Sequence, residues 1–161
     1  MRRSPWLTGP LIVSVLLLLT FVASREASKE ADLKDNVTLK VYTTRSGQNG
    51  MAGTAAVVFK GGNVIGTLHY HLGSLEQHTT LEAKLVGILL GLWLVGREPD
   101  ADSASLKADS QVAIQVLYTH KPGPGGYLLD KIHELSTSIC EWSLSSLQLK
   151  ISWISSRVWH G

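Results

Sequence analysis

Beyond residue 37 the spacing of apolar and polar positions changes period twice along the chain. Residues 39–44 (LKVYTT) and 53–60 (GTAAVVFK) are rich in β-branched and aromatic types and predict strands. The SGQNGMAG stretch between them is dense in turn formers and predicts a bend. Gly61, Gly62 and Asn63 predict a hairpin into a third strand over 64–72. That strand alternates, with Val64, Leu68, Tyr70 and Leu72 on one face and Thr67, His69 and His71 on the other. The period then lengthens. Thr79 and Glu82 have the spacing of a capping box, and Leu81, Leu85, Ile88, Leu89, Leu92 and Val95 recur at helical intervals. This helix has a sparse polar face, which predicts cover on both sides. A loop over 97–104 and a short strand over 105–108 lead to Asp109-Ser110, a cap for a helix over 111–118. The breaker-rich KPGPGG separates it from a third helix over 127–142, with Leu128, Ile132, Leu135 and Ile139 on one stripe. Residues 147–155 (LQLKISWIS) alternate again and predict the last strand. Hairpin strands first and helical crossovers afterwards imply an α/β domain, a mixed sheet with helices on its faces.

The first 24 residues follow another logic. Arg2 and Arg3 precede an unbroken apolar or small run over 11–24, and Val22-Ala23-Ser24 offers small residues for cleavage. These are the three parts of a secretory signal peptide. The apolar core, about 13 residues, falls short of the roughly 20 that span a bilayer. Gly9-Pro10 would break a helix extended backward. Segment 1–24 is therefore a candidate signal peptide, with an uncleaved membrane anchor and an accidental apolar stretch as alternatives. In a secreted chain Asn36 of Asn36-Val37-Thr38 becomes a glycosylation acceptor, whereas an accidental run leaves a nuclear or cytoplasmic protein. Polar residues 25–37 read as a linker, and 38–161 as the domain.

Composition narrows the functional classes. With 44% apolar and 17% charged residues the chain can bury a core and is not of the disordered type. Its formal charge of +2 is supplied wholly by Arg2 and Arg3, so basic and acidic residues balance from Arg25 onward. The basic field of a nucleic-acid binder is missing from the composition. Cys140 is the single cysteine, which excludes an intramolecular disulfide and a Cys-based zinc site, and it reads as a small buried hydrophobe.

Local words supply what composition does not. VYTTRSG (41–47) is similar to the first-strand YTDGS motif of ribonuclease H, and TTLEAKLVGILLGLW (79–93) resembles that family's first helix, built around AEL. LKADSQVAI (106–114) resembles its third motif, a strand ending in Asp-Ser at a helix start, and ISWISS (151–156) resembles its last strand. Four such words in order make the chain resemble a type 1 ribonuclease H domain, in wording nearest those of fungal LINE-type retrotransposons. The resemblance implies a five-stranded mixed sheet in order 3-2-1-4-5. It implies, as family activity, endonucleolytic hydrolysis of RNA in RNA–DNA hybrids. It also implies two Mg²⁺ ions about 4 Å apart, one activating water and one stabilising the leaving oxygen.

The matching positions depart from the motif. The first-strand Asp position holds Thr44 and the helix Glu position holds Lys84, while Asp109 is retained as the only matching carboxylate. The His-loop position falls on Arg157, His160 follows Trp159 out of pattern, and the final Asp with its closing helix is expected to be missing. Mg²⁺ needs oxygen ligands in near-octahedral array, so these changes predict loss of useful metal affinity and of catalysis. Asp109 is then a residual metal ligand or a helix cap. Arg45 and Ser46, with Lys84, would be phosphate-binding groups in the vacated site, or drift. Glu82 fits the capping box better than the metal site. His69 and His71 share a strand face without a third ligand, and Trp142, Trp153 and Trp159 suit packing better than base stacking. The expected function is an RNase-H-like nucleic-acid-binding domain derived from a retrotransposon, its partner an RNA–DNA hybrid and its hydrolase activity lost. The alternatives are a secreted or membrane-tethered interaction protein on the same scaffold, with residues 11–24 at the membrane, and a weak nuclease relying on Asp109.

Overall fold

The computed structural model describes residues 19–20, 30, 32–48, 51–74, 80–119 and 126–154. Six strands form one sheet: β1 (Leu19–Thr20), β2 (Leu39–Gln48), β3 (Met51–Lys60), β4 (Asn63–Ser74), β5 (Ser103–Ala108) and β6 (Gln148–Trp153), in spatial order β1-β6-β5-β2-β3-β4. Among the described residues the helices of more than two turns are α1 (Thr80–Gly96), α2 (Gln111–Thr119) and α3 (Gly126–Trp142). Counted from Leu39, the five strands lie 3-2-1-4-5, as expected. The sheet is mixed, since β2, β3 and β4 pair antiparallel while β5 runs parallel to both β2 and β6.

Three elements differ from the sequence reading. The bend expected over SGQNGMAG is narrower, because β2 runs on to Gln48 and β3 resumes at Met51 with Gln48 opposite Met51. Small residues such as Gly47, Ala52 and Gly53 do not obstruct that ladder. The next connection is as expected: Gly61 and Gly62 both have positive φ, 58° and 81°, which a two-residue hairpin turn matched to strand twist requires. A sixth strand comes from the apolar run near the N-terminus, where Leu19 and Thr20 pair in parallel with Ile151 and Ser152. Without β1 the edge of β6 would carry unpaired backbone groups, which an apolar extended segment can satisfy. Cleavage after Ser24 would remove that strand. The segment taken as a linker also carries contacts, since Asp35 is buried and ion-paired to the sheet. Among the described residues no helix is long and apolar enough to cross a membrane.

α1 is the centre of the core, with the sheet on one side and α3 on the other. Its buried Leu85, Ile88, Leu92, Leu94 and Val95 extend around the helix, as the sparse polar face predicted. Two glycines let it lie close to the sheet. A Cβ on Gly91 would stand 2.7 Å from Leu106 Cδ1 and 3.1 Å from Val41 Cγ1, and one on Gly87 would stand 2.6 Å from Thr54 Oγ1. Gly91→Ala should therefore lose stability although alanine favours helix. Overpacking of a dense core costs about 1–3 kcal/mol, against a propensity gain of about 1 kcal/mol. Denaturant unfolding measures the difference, and a variant more stable than wild type would show that Gly91 does not set the spacing. Cys140 is half-buried and packs on this core, and burial, with Glu141 adding to it, raises its thiol pKa above the usual value.

Candidate functional site

Thr44, Lys84 and Asp109 come together at one end of the sheet centre. β2 and β5 are parallel neighbours with Thr43 opposite Ala108, so Thr44 and Asp109 are the next residues on each chain. Lys84, Gly87 and Gly91 share one stripe of α1, so the glycines that seat the helix also aim Lys84 at the strand ends. Lys84 Nζ lies 2.5 Å from Asp109 Oδ1, and Thr44 Oγ1 donates to Asp109 Oδ2 at 3.5 Å. The Lys84 and Asp109 side chains are 14% and 8% exposed, so the pair is largely out of water. Thr54 Oγ1 donates to the Thr44 carbonyl at 2.8 Å and fixes the strand beside it.

Asp109 is not the helix cap. Ser110 takes that role, its Oγ accepting from Ala113 N at 3.1 Å and its carbonyl from Ile114 N at 3.3 Å. Asp109 is thereby left for Lys84. Mg²⁺, the ion the resemblance implies, does not fit this arrangement. Among the described residues the site offers one carboxylate, with one oxygen occupied by an ammonium. A divalent cation beside that ammonium would meet repulsion of about 8 kcal/mol at 4 Å with an effective dielectric near 20. No group of three or more His, Cys, Asp or Glu able to hold a metal occurs among the described residues. What the arrangement can do is pin α1 to the ends of β2 and β5 with fixed charges.

The other candidates disperse. The backbone of Arg45 and Ser46 continues β2 opposite Thr54 and Gly53. Glu82 lies in the first turn of α1, and Thr79 falls outside the described residues, as do Arg157, Trp159 and His160. Asn36 is exposed, and so are His69 and His71 on the edge strand β4. Trp153 packs against the core. Trp142 borders a concavity of about 360 Å³ between the C-terminal halves of α1 and α3, with Trp93, Leu135, Ile139 and Leu147. Trp93 is nine residues along α1 from Lys84, roughly 13 Å at helical rise, so this concavity is separate from the Asp109 end.

Sequence reasoning missed a second cluster on the sheet face away from α1. Asp35 meets Lys107 Nζ at 3.1 Å and Lys150 Nζ at 3.4 Å, and both Asp35 and Lys107 side chains are only 3% exposed. Burial pushes the Asp35 carboxyl up, but the Ser105 hydroxyl and the Lys107 and Lys150 ammoniums outweigh it, leaving the group below its ordinary 3.8. Tyr42 donates to both Asp32 carboxylate oxygens at 3.0 and 3.1 Å, and Lys40 Nζ donates to the Asp32 carbonyl at 2.8 Å. Burial, then the Asp32 charge, raises the Tyr42 phenol well above its usual value, so it stays a donor. The signal was present: Lys40, Lys107 and Lys150 all fall on the polar phase of three strands whose other phase is apolar.

No family model matches the chain, and no curated protein matches it. Solved structures do. The N-terminal RNase H domain of a Mycobacterium tuberculosis protein is 16% identical with a TM-score of 0.58, covering 76% of this chain and 85% of that one. RNase H1 of Halobacterium salinarum is 14% identical with a TM-score of 0.55, covering 74% of this chain and 86% of that one. LC11-RNase H1, solved in complex with an RNA/DNA hybrid, is 16% identical with a TM-score of 0.59 over 74% and 86%. Element order, strand order and these likenesses agree that the chain has the ribonuclease-H-like fold.

Proposed function

We propose that the chain is a non-catalytic ribonuclease-H-like domain of retrotransposon origin, which binds RNA–DNA hybrid weakly and does not cut it. The observation that carries this reading is the Lys84–Asp109 ion pair. A two-metal hydrolase gathers carboxylates so that cations can hold the scissile phosphate and activate water. Here an ammonium neutralises the one carboxylate, and the hydroxyl of Thr44 cannot supply the missing charge. Support for a nucleic-acid partner comes from the fold, one of whose solved examples holds an RNA/DNA hybrid. The charge balance beyond Arg25 argues for few phosphate contacts, hence low affinity and a shallow salt dependence.

The test is incubation with end-labelled hybrid in Mg²⁺ and in Mn²⁺, with binding followed in parallel. The expected result is intact RNA and a weak affinity that falls only gently with salt. Cleavage by the wild type that disappears in Asp109→Asn would sink the reading.

A further inference from the structure

β2, β5 and β6 carry two unlike faces. Toward the helices, the register rows are Leu39, Ala104, Leu149 and then Val41, Leu106, Ile151. On the far side they are Lys40, Ser105, Lys150 and then Tyr42, Lys107, Ser152. All six of these far-side groups are able to donate hydrogen bonds, three are cationic, and none is an acceptor alone. With strands roughly 4.8 Å apart, Lys40 and Lys150 stand roughly 10 Å from each other, and Lys107 lies between them in the next row. A face that needed only cover would be apolar, and lysine is almost never buried mid-strand unless paired.

Residues 32–38, the arm that leads into β2 and lies on this face, supply acceptors. Asp35 takes Lys107 and Lys150, while the Asp32 carboxylate accepts from Tyr42 and stands 4.0 Å from Lys40 Nζ, whose hydrogen bond goes to the Asp32 main-chain carbonyl. Two donors are left over, since Ser105 Oγ and Ser152 Oγ have no hydrogen-bond partner among the described residues although these residues are 0% and 2% exposed. Beside the arm a cleft of about 480 Å³ opens, lined by Asp35, Lys40, Tyr42, Phe59 and Gly61. In it the Tyr42 and Phe59 rings meet edge to face at 5.6 Å.

We propose that this face binds the phosphodiester backbone of a nucleic acid, and that the carboxylates of Asp32 and Asp35 occupy it as intramolecular stand-ins for phosphate. The inference deepens the reading above by placing the nucleic-acid contact away from the Asp109 end. Exchange of carboxylate for phosphate leaves each lysine with a counter-charge throughout, so the arm can be displaced without stranding Lys107. Oxyanions accept from ammonium and hydroxyl groups with the same charge-assisted geometry as carboxylates. The arm therefore competes with the ligand and holds affinity low.

The test measures binding in EDTA by fluorescence anisotropy, with a labelled single strand and a labelled RNA–DNA hybrid as separate arms. Asp32→Asn/Asp35→Asn should tighten binding tenfold or more on at least one arm, which identifies the form preferred. For a single strand, three released lysines should steepen the log K against log salt slope by about 2. Adding Lys40→Gln and Lys150→Gln should remove the gain. A folded double variant with wild-type affinity overturns the proposal. Should the double variant not fold, Asp32→Asn alone decides. A threefold gain that Lys40→Gln cancels supports the proposal, and no gain overturns it. Because metal is chelated, cleavage by the wild type would end the non-catalytic reading and leave this measurement intact.

Discussion

Lys84→Gln is expected to lower stability by about 3 kcal/mol, because it leaves the Asp109 carboxylate largely buried with no counter-charge. Thr44 can hydrogen-bond Asp109 but cannot neutralise it. Lys84→Arg should recover most of the loss if the charge is what matters, whereas Lys84→Met should not. The sharper form of the test combines Thr44→Asp with Lys84→Glu. That variant places three carboxylates where the wild type has one carboxylate and an ammonium, so in EDTA it should unfold well below wild type through like-charge repulsion. Millimolar Mg²⁺ or Mn²⁺ should raise its midpoint in a concentration-dependent way, as any ligand of the native state does, and should leave the wild-type midpoint unmoved. Thermal unfolding with and without the ions reads both outcomes. A wild-type protein that divalent ions stabilise, or a double variant indifferent to them, would refute the view that Lys84 has displaced the metal.

The sequence made the central architecture readable because its signals were local. Alternation over 39–44 and 147–155 and helical recurrence over 81–95 each reflect a neighbouring surface, so the strand order and the placement of α1 followed once the family words were aligned. Convergence of Thr44, Lys84 and Asp109 was legible for the same reason, since parallel pairing of β2 with β5 carries both strand ends to one place. What stayed hidden depends on contacts distant in sequence. Ser110 and Asp109 are both good caps by type, and only the Lys84 partner settles which one caps α2. Residues 25–37 look like a linker by composition, because charge in a segment says nothing about whether a complementary face awaits it. Asp35 and Lys150 are far apart in the chain, and no short window contains both. The apolar run is ambiguous in a further way, since the features that mark a leader also suit an edge strand such as Leu19–Thr20.

Asp35→Asn should be among the most destabilising single substitutions in the domain, at about 3–5 kcal/mol, the range for removing one partner of a buried pair. Lys107 has 3% side-chain exposure and would be left with no carboxylate, whereas Lys150, at 38%, can turn to water. The cost should depend on pH in a definite direction. The folded-state Asp35 pKa lies below the unfolded value of 3.8, so the unfolded chain binds a proton more readily than the native one. The stabilisation is therefore complete above 3.8 and is lost as pH falls through the folded-state value. An amide in place of this carboxylate has no such titration, so the gap between wild type and Asp35→Asn should be widest near neutrality and should narrow below pH 3.8. Denaturant midpoints across pH 7 to about 2.5 test this, and a gap that stays constant would show that Asp35 acts through packing alone. A paired replacement separates charge from shape. Asp35→Leu with Lys107→Met removes both buried charges together, and apolar substitution of a buried pair is often neutral or stabilising. The double variant should thus be more stable than Asp35→Asn, despite changing more atoms. If it is instead the less stable of the two, the local packing of the Asp35 side chain matters more to the arm than the charges do.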